Sequence, residues 1–375
     1  MKYRLLGFLL FILVGCHNYV PLDKLTSLPE SNGPAIGLNL ISKDLRGLDL
    51  SHASNILLNE TSFDTYTKWP RLPKDFSPKD ILEMGKNPGL GIRKLHKQGI
   101  NGEGISVGII DMALLKNHVE YQDQLVYYEE YNAHKEPELH GTAVASLLVG
   151  KSVGVAPKAK LFYIATRFSE DKCKNIAWSI NRLLDINQTL KEEEKIRVIS
   201  ISASFSLKDP DFVLAQLAQK RAIEAGVLVV SSVIDEYYPL AYQGLGRDPR
   251  YNPDKCESFK VGSWWSEETD KWLADDQERI YLPMDSRTTA SPWDAKGYIF
   301  YRIGGWSWVA PYLSGIYALA LQVNPHLTIE EFAQALLITG SYLNLDYQGR
   351  AFRLGPIFKA DEFMKQIITL KASTN

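Results

Sequence analysis

The segment Val107-Gly-Ile-Ile-Asp111 is a short apolar run that ends in a carboxylate, which is typical of a buried strand with a polar residue at its carboxyl end. Further along the chain, His140-Gly-Thr-Ala-Val-Ala-Ser146 begins with an imidazole and is typical of the start of a buried helix. A strand followed by a helix is the repeating unit of α/β domains. The two segments predict such a domain, in which an acid ends a strand and a histidine begins a helix.

The alternation of short apolar runs with helical patterns continues on both sides of these segments. Strands are predicted at residues 105–110, 160–165, 198–203, 227–233 and 259–262, and helices at 140–149, 176–190 and 212–225. Because the runs are apolar throughout, both faces of each strand must be covered. We therefore predict a three-layer α/β fold, with a mostly parallel sheet and helices on both faces. Sites in such sheets form at the carboxyl ends of the strands, where Asp111 lies.

A third segment, Gly305-Trp-Ser-Trp-Val-Ala-Pro311, opens a buried helix that continues to residue 323 and carries Ser307 in its first turn. The free N–H groups at a helix start can stabilise a developing oxyanion. An acid, an imidazole and a hydroxyl are also the three parts of a nucleophilic triad. Asp111 as an ordinary turn residue and Ser307 as a simple helix cap are the alternatives.

In the order Asp, His, Ser, and in the residues around the histidine, the chain resembles the subtilisin-like serine proteases, or subtilases, over about residues 92–340. This resemblance implies a subtilisin-like fold. It also implies that Ser307 attacks a peptide bond, that His140 acts as base and then as acid, and that Asp111 orients the imidazole.

Several motifs depart from the subtilase pattern. Subtilases have Asp-Ser-Gly or Asp-Thr-Gly where this chain has Asp111-Met112-Ala113. They have Gly-Thr-Ser-Met-Ala around the serine, where this chain has Trp306 and Trp308 on either side of Ser307. We expect the two indoles to reshape the entrance of the site.

The resemblance also places Asp235 where subtilases carry the asparagine that donates to the oxyanion. An ionised aspartate cannot donate a hydrogen bond, whereas a protonated one can. In subtilisin, loss of this donor lowers turnover by roughly 10²–10³. The alternative is that Asp235 is a loop residue and the alignment is shifted by a position or two.

The resemblance implies a substrate-binding strand edge at Ser202, Ala203 and Ser204, where an extended peptide would pair by strand addition. Ser204 and Phe205 replace glycines of the subtilase pattern, so we expect a narrowed first specificity pocket. Residues 264–301 are rich in tryptophan and charge, with weak periodicity. They are interpreted either as a surface excursion or as a wall of the peptide cleft. His118 and His134 are expected to be surface residues.

The N-terminus is typical of an export signal, with Lys2 and Arg4 ahead of an apolar run at residues 5–14. Leu13-Val-Gly-Cys16 resembles the lipobox of bacterial lipoproteins, which implies a signal peptide at 1–15 and lipidation of Cys16. An ordinary cleaved signal with a chance cysteine is the alternative. We expect an extracytoplasmic protein held at the cell membrane by a lipid. Residues 16–91 form a tether or N-terminal cap in this interpretation, with a propeptide as the alternative, and residues 92–375 form the peptidase domain.

Composition narrows the function classes further. The formal net charge of −2 gives no electrostatic reason to expect nucleic-acid binding. Cys173 and Cys256 could pair or stay as free thiols. The chain has neither the His/Cys spacing of a zinc site nor a recognisable calcium loop, so no metal or other cofactor is predicted.

These observations predict an exported, membrane-anchored serine endopeptidase that acts on a peptide or protein substrate. The alternative is a catalytically impaired relative that binds a peptide or protein without cutting it. If Asp235 acts as a neutral donor, activity should rise towards acid pH, and Asp235→Asn should shift the pH optimum upwards.

Overall fold

The computed structural model describes residues 22–29, 37–205, 207–232, 240–269, 278–347 and 349–374. Cys16 and Asp235 lie outside these ranges. The α-helices within them are α1 (Asn55–Asn59), α2 (Pro78–Gly85), α3 (Ile92–Lys97), α4 (Leu139–Val149), α5 (Lys172–Asn187), α6 (Phe212–Glu224), α7 (Trp306–Val323), α8 (Ile329–Thr339) and α9 (Ala360–Thr374).

The strands follow the chain in the same way. They are β1 (Asp23–Lys24), β2 (Leu38–Asn39), β3 (Lys43–Asp44), β4 (Thr61–Asp64), β5 (Ser106–Asp111), β6 (Leu125–Glu130), β7 (Lys160–Ala165), β8 (Ile196–Ile201), β9 (Leu228–Ser231), β10 (Ala241–Arg247), β11 (Phe259–Val261), β12 (Arg279–Pro283), β13 (Arg287–Ala290), β14 (Tyr298–Tyr301), β15 (Ser341–Tyr347) and β16 (Arg350–Ile357).

The central sheet has the strand order β6-β7-β5-β8-β9, and every neighbouring pair in it is parallel. Successive side chains of β5 enter different cores. Ile109 packs in the cluster that contains α4 and α7, and Ile110 packs in the cluster that contains α5 and α6. The sheet is therefore covered on both faces, which confirms the predicted three-layer α/β fold.

The strand predicted at residues 160–165 is observed with the same bounds, as β7. The helix predicted from residue 176 begins earlier, at Lys172, and ends at Asn187. Strand β8 ends at Ile201, so Ser202, Ala203 and Ser204 follow the strand instead of forming its last part. The run predicted at 227–233 is described only in part, as β9.

The second half of the chain builds a mixed sheet of order β11-β10-β12-β16-β15. It also contributes β13 and β14 to a four-stranded sheet of order β13-β14-β4-β2, whose other two strands come from the N-terminal segment. Strand β11 was predicted as part of the parallel sheet, but it pairs antiparallel with β10 instead. The surface-excursion interpretation of residues 264–301 is wrong for its described strands, because β12 and β13 are buried at every position. Both strands contain a buried arginine, at positions 279 and 287, so their sequences lack the apolar pattern from which a buried strand is predicted.

Residues 61–64 and 298–301 are joined by strand pairing, because Ile299 pairs with Asp64 and Phe300 with Phe63 across the antiparallel pair β4–β14. The Phe63 and Phe300 rings lie 5.2 Å apart in a small core that also holds residues of α2. The described part of the segment 37–85 is thus packed against a late part of the chain. The domain boundary at residue 92 stays a prediction.

His118 is buried, and its ring nitrogen Nε2 lies 2.9 Å from the carbonyl oxygen of Gly297, so the prediction of a surface histidine is wrong there. A lone histidine carries no periodic signal that would reveal its burial. His134 is exposed, as predicted. Cys173 and Cys256 are free thiols that pack in different core clusters. Across the described residues, no helix combines the length and apolarity needed to cross a bilayer.

Candidate active site

Asp111 and His140 form a hydrogen-bonded pair at the carboxyl end of β5. The Asp111 carboxylate is completely buried, and its Oδ1 atom lies 2.6 Å from Nδ1 of His140, in the first turn of α4. The same oxygen accepts the backbone N–H of Met112 at 2.8 Å. Met112 and Ala113, which replace the hydroxyl and glycine of the subtilase pattern, therefore do not turn the carboxylate away from the imidazole.

The glycine after the histidine permits this contact. A Cβ atom at Gly141 would lie 2.0 Å from the carbonyl oxygen of Met112 and 2.6 Å from the hydroxyl of Tyr163. Both distances are far inside van der Waals contact, so only glycine lets α4 approach the end of β5 this closely. The start of α4 is also tied to this turn by a 2.8 Å bond from the Glu138 N–H to the Ala113 carbonyl.

The electrostatics favour a protonated imidazole. Burial opposes charging of the ring, but the Asp111 carboxylate, with a smaller contribution from Glu138, outweighs it and raises the pKa of His140 above its ordinary value. The side chain of His140 remains 27% exposed. Because Asp111 binds Nδ1, the tautomer with Nε2 unprotonated is favoured, and that nitrogen can accept a proton from a nucleophile.

Ser307 lies in the first turn of α7 and is linked to Ser202 by two reciprocal hydrogen bonds. The Ser307 hydroxyl donates to the Ser202 carbonyl at 3.2 Å, and the Ser202 hydroxyl donates to the Ser307 carbonyl at 2.8 Å. The second bond has a local cause, because Pro311 lies four residues further on and has no N–H to donate to that carbonyl. No hydrogen bond of the described residues joins Ser307 to His140.

The two indoles beside Ser307 have different environments. Trp308 is only 7% exposed, and its ring packs 5.8 Å from the His140 ring and 5.3 Å from that of Tyr301. Its Nε1 atom is buried without a hydrogen-bond partner in the described part of the chain. Trp306 is turned towards the second sheet, where its Nε1 donates to Gln243 at 2.5 Å. Trp308 is therefore the indole that flanks the acid–base pair.

The predicted substrate edge lies directly beside Ser307. Ser202 is buried against Ser307, Ala203 is partly buried and Ser204 is exposed. Phe205 was expected to narrow the specificity pocket, but it is buried in the core with α6, where its ring lies 6.1 Å from that of Phe212. That part of the pocket prediction is wrong, since the apolar ring gains more from the core than from the cleft. The oxyanion role of Asp235 stays a prediction.

Sequence reasoning missed a set of contacts around Gly304, which immediately precedes the Gly-Trp-Ser segment. The fully buried Asp285 accepts the Gly304 N–H at 3.0 Å through Oδ1. Its Oδ2 accepts the N–H of Ser263 at 2.9 Å and its hydroxyl at 2.7 Å. The Trp264 indole donates to the Gly304 carbonyl at 2.6 Å. A single aspartate in a segment without clear periodicity does not indicate which backbone groups it will bind.

Among the residues described, no group of three or more His, Cys, Asp or Glu side chains is placed to hold a metal ion.

Comparisons with known proteins point to one family. A model of the subtilase family, peptidase S8, matches residues 102–269. The subtilisin-like protease PopC of Myxococcus xanthus is 24% identical over 302 residues, which cover 71% of this chain and 61% of PopC. This chain therefore spans about three fifths of the length of that relative.

Solved structures share the fold at low identity. Fervidolysin from Fervidobacterium pennivorans, a keratinolytic enzyme related to subtilisin, aligns with a TM-score of 0.51 and 18% identity over 76% of this chain and 47% of that one. The PatG macrocyclase, solved in complex with peptide, aligns with a TM-score of 0.50 and 17% identity over 74% of this chain and 95% of that one. The family match places residues 102–269 in the subtilase family, and the solved structures show that the chain has a subtilisin-like fold.

Proposed function

We propose that this chain is a serine endopeptidase in which Ser307, His140 and Asp111 form the catalytic triad. The observation that carries the proposal is the 2.6 Å bond between Asp111 and His140 at the carboxyl end of β5. Ser307 adds a hydroxyl in the first turn of a helix that packs on the same sheet. A buried acid bonded to an imidazole, with a serine in a helix start nearby, is the arrangement needed for acyl transfer.

The proposed reaction starts when the Ser307 hydroxyl leaves the Ser202 carbonyl and turns to Nε2 of His140. Giving up that hydrogen bond costs about 1 kcal/mol, which is small beside the barrier of the chemical step. His140 takes the proton as Ser307 Oγ bonds to the carbonyl carbon of the substrate. The imidazolium, stabilised by Asp111, then protonates the leaving amine, and water hydrolyses the acyl ester by the reverse sequence of proton transfers.

The proposed substrate is a peptide or protein segment in an extended conformation. The exposed chain at Ser204, directly after β8, offers the backbone groups for strand addition. The PatG macrocyclase, which shares this fold, was solved in complex with peptide, and this supports a peptide as the ligand.

The second candidate is a binding protein that retains the fold without cutting. Two observations favour it: the Ser307 hydroxyl is bonded to Ser202 instead of His140, and the buried Trp308 packs against the imidazole. A peptide held along Ser204 would then be retained instead of hydrolysed.

We further propose that the protein is exported and anchored to the outer side of the cell membrane through lipidated Cys16. The basic residues, the apolar run and the cysteine follow one another in the order that lipoprotein signals require. Incorporation of a labelled fatty acid tests this proposal, with Cys256→Ala as the control that should keep the label. Incorporation that survives Cys16→Ala would contradict it.

The two functions are separated by labelling the full chain, in detergent, with a fluorophosphonate that modifies activated serines. We expect labelling of the wild type that is lost in Ser307→Ala and His140→Ala. Ser169→Ala and His134→Ala, at exposed positions of the same residue types, serve as matched controls. A folded wild type that is not labelled at acid or neutral pH would overturn the peptidase proposal and favour the binding protein.

A further inference from the structure

The peptide backbone of Gly304 is held at both of its polar groups. Its N–H donates to Asp285 at 3.0 Å, and its carbonyl accepts the indole N–H of Trp264 at 2.6 Å. Asp285 is in turn fixed by the N–H and hydroxyl of Ser263, which precedes Trp264. We call the set Asp285, Ser263 and Trp264 the Gly304 clamp.

The clamp is costly to build, which argues against an incidental role. Asp285 is completely buried, and burial raises the pKa of its carboxyl, although the Ser263 and Gly304 donors and the nearby Arg302 oppose that shift. A buried carboxylate is tolerated only where donors satisfy it. Here one of those donors is the backbone of the segment that leads into the nucleophile helix.

The clamp holds a segment whose backbone is closely packed against the neighbouring chain. A Cβ atom at Gly304 would lie 2.2 Å from the carbonyl oxygen of Met284, so this glycine is pressed directly against the end of β12. Helix α7 begins two residues later at Trp306, and Ser307 follows. Fixing the Gly304 peptide therefore fixes the direction from which α7 starts and the position of the Ser307 hydroxyl.

We infer that Asp285 and Trp264 are positioning residues, which hold the Gly304 peptide so that Ser307 stays within reach of His140. The inference concerns the backbone, and its effect on catalysis rests on the proposed function. Misplacement of a nucleophile by about 1 Å lowers a rate by roughly 100-fold. Asp285 should contribute more than Trp264, because Trp264 is 50% exposed and water can replace its donor.

The chain offers matched controls for both residues. Asp64 is a second buried carboxylate that accepts the N–H and hydroxyl of one serine, Ser42, at 3.0 and 2.8 Å, far along the chain from the nucleophile. Trp265, the neighbour of Trp264, donates its indole N–H to the carbonyl of Gly244 at 2.6 Å. Asp64→Asn and Trp265→Phe therefore remove the same kinds of contact outside the clamp.

The test uses the full chain and two measurements on Asp285→Asn and Trp264→Phe. Hydrogen exchange of the peptide spanning residues 303–308 reports the clamp directly and does not require activity. The fluorophosphonate reaction is separated into reagent binding and the maximal labelling rate. We expect faster exchange in both variants, and a maximal rate lowered roughly 100-fold in Asp285→Asn and about 10-fold in Trp264→Phe, with reagent binding nearly unchanged. Trp264→Phe, at a half-exposed position, keeps the test open if Asp285→Asn fails to fold.

Exchange and labelling rates equal to those of Asp64→Asn and Trp265→Phe would overturn the inference. A wild type that exchanges slowly at residues 303–308 but is never labelled would instead contradict the proposed function and leave the clamp supported. Faster exchange with an unchanged labelling rate would show that the clamp does not position Ser307, and would overturn the inference as well.

Discussion

The acid–base half and the nucleophile half of the candidate site rest on different parts of the molecule. Asp111 and His140 lie on β5 and α4, within the parallel sheet, and their contact is complete. Ser307 lies in the first turn of α7, whose start is held by the Asp285–Gly304 and Trp306–Gln243 hydrogen bonds, and its hydroxyl donates to the Ser202 carbonyl. Asp111 and His140, which lie on elements with a clear apolar pattern, are already hydrogen-bonded to each other. The placement of Ser307 depends on polar contacts between distant parts of the chain, so those contacts decide whether its hydroxyl can reach His140.

The largest effect is expected from Asp111→Asn. The amide no longer stabilises the imidazolium and favours the wrong tautomer, so the labelling rate of Ser307 should fall by roughly 10⁴. Asp64→Asn is the control, because it changes a buried carboxylate of the small N-terminal core. Equal losses in the two variants would mean that the Asp111–His140 pair is structural and that the contrast between the two halves is false.

Trp308→Met tests how much the indole beside His140 contributes to stability. The change restores the residue of the subtilase pattern but removes ring contacts with His140 and Tyr301, so the free energy of unfolding should fall by about 2 kcal/mol. Urea denaturation followed by circular dichroism measures it, and Trp306→Met is the comparison. An unchanged urea midpoint would show that the Trp308 ring contacts do not contribute to stability. A faster fluorophosphonate labelling of Trp308→Met than of the wild type would then show that the indole obstructs Ser307.

The pH dependence of fluorophosphonate labelling distinguishes the effect of His140 as a base from the effect of Asp235 as a hydrogen-bond donor. Only neutral His140 can accept a proton, and its pKa is raised above the ordinary 6.5, so the rate should fall about tenfold per pH unit below that raised pKa. A neutral Asp235 donor would give the opposite trend, with a rate that rises towards acid pH. A rate profile from pH 5 to 9 for the wild type and Asp235→Asn distinguishes the two.

The same shift affects stability in a defined direction. A histidine whose pKa is raised by folding stabilises the protein fully below its ordinary pKa of 6.5, and this contribution is lost as the pH rises through the raised value. The difference in unfolding free energy between wild type and His140→Gln should therefore shrink between neutral and alkaline pH. A difference that is constant with pH would contradict the proposed ion pair.

The smallest effect is expected from Ser202→Ala. The substitution removes the hydroxyl that donates to the Ser307 carbonyl, and Pro311 has no N–H that could replace it. The free energy of unfolding should therefore fall by about 1 kcal/mol. Because the Ser202 carbonyl remains, the bond that holds the Ser307 hydroxyl should persist. Thermal denaturation measures the loss, with Ser204→Ala as the exposed control. A large fall in stability would show that the link between the two halves is more than a single hydrogen bond.

Sequence reasoning was most successful where burial follows a simple period. The apolar run of β7 was predicted with its correct bounds, and β5 and α4 were placed well enough to bring Asp111 and His140 to one edge. It failed where buried polar groups replace the pattern, as in β12 and β13, with their arginines, and at His118. The clamp was not predictable because its hydrogen bonds join residues that are 19, 22 and 40 positions apart in the chain.

The pairing of β4 with β14 has a consequence for how this protein can be processed and prepared. A cut in the chain between residues 65 and 91 would leave the two pieces bound, since strand hydrogen bonds and the contact of Phe63 with Phe300 do not depend on that connection. A recombinant form that started at residue 92 would lack β4 and expose β14 as a bare edge strand with an apolar face. Such edges recruit other chains, so we expect that shortened form to aggregate.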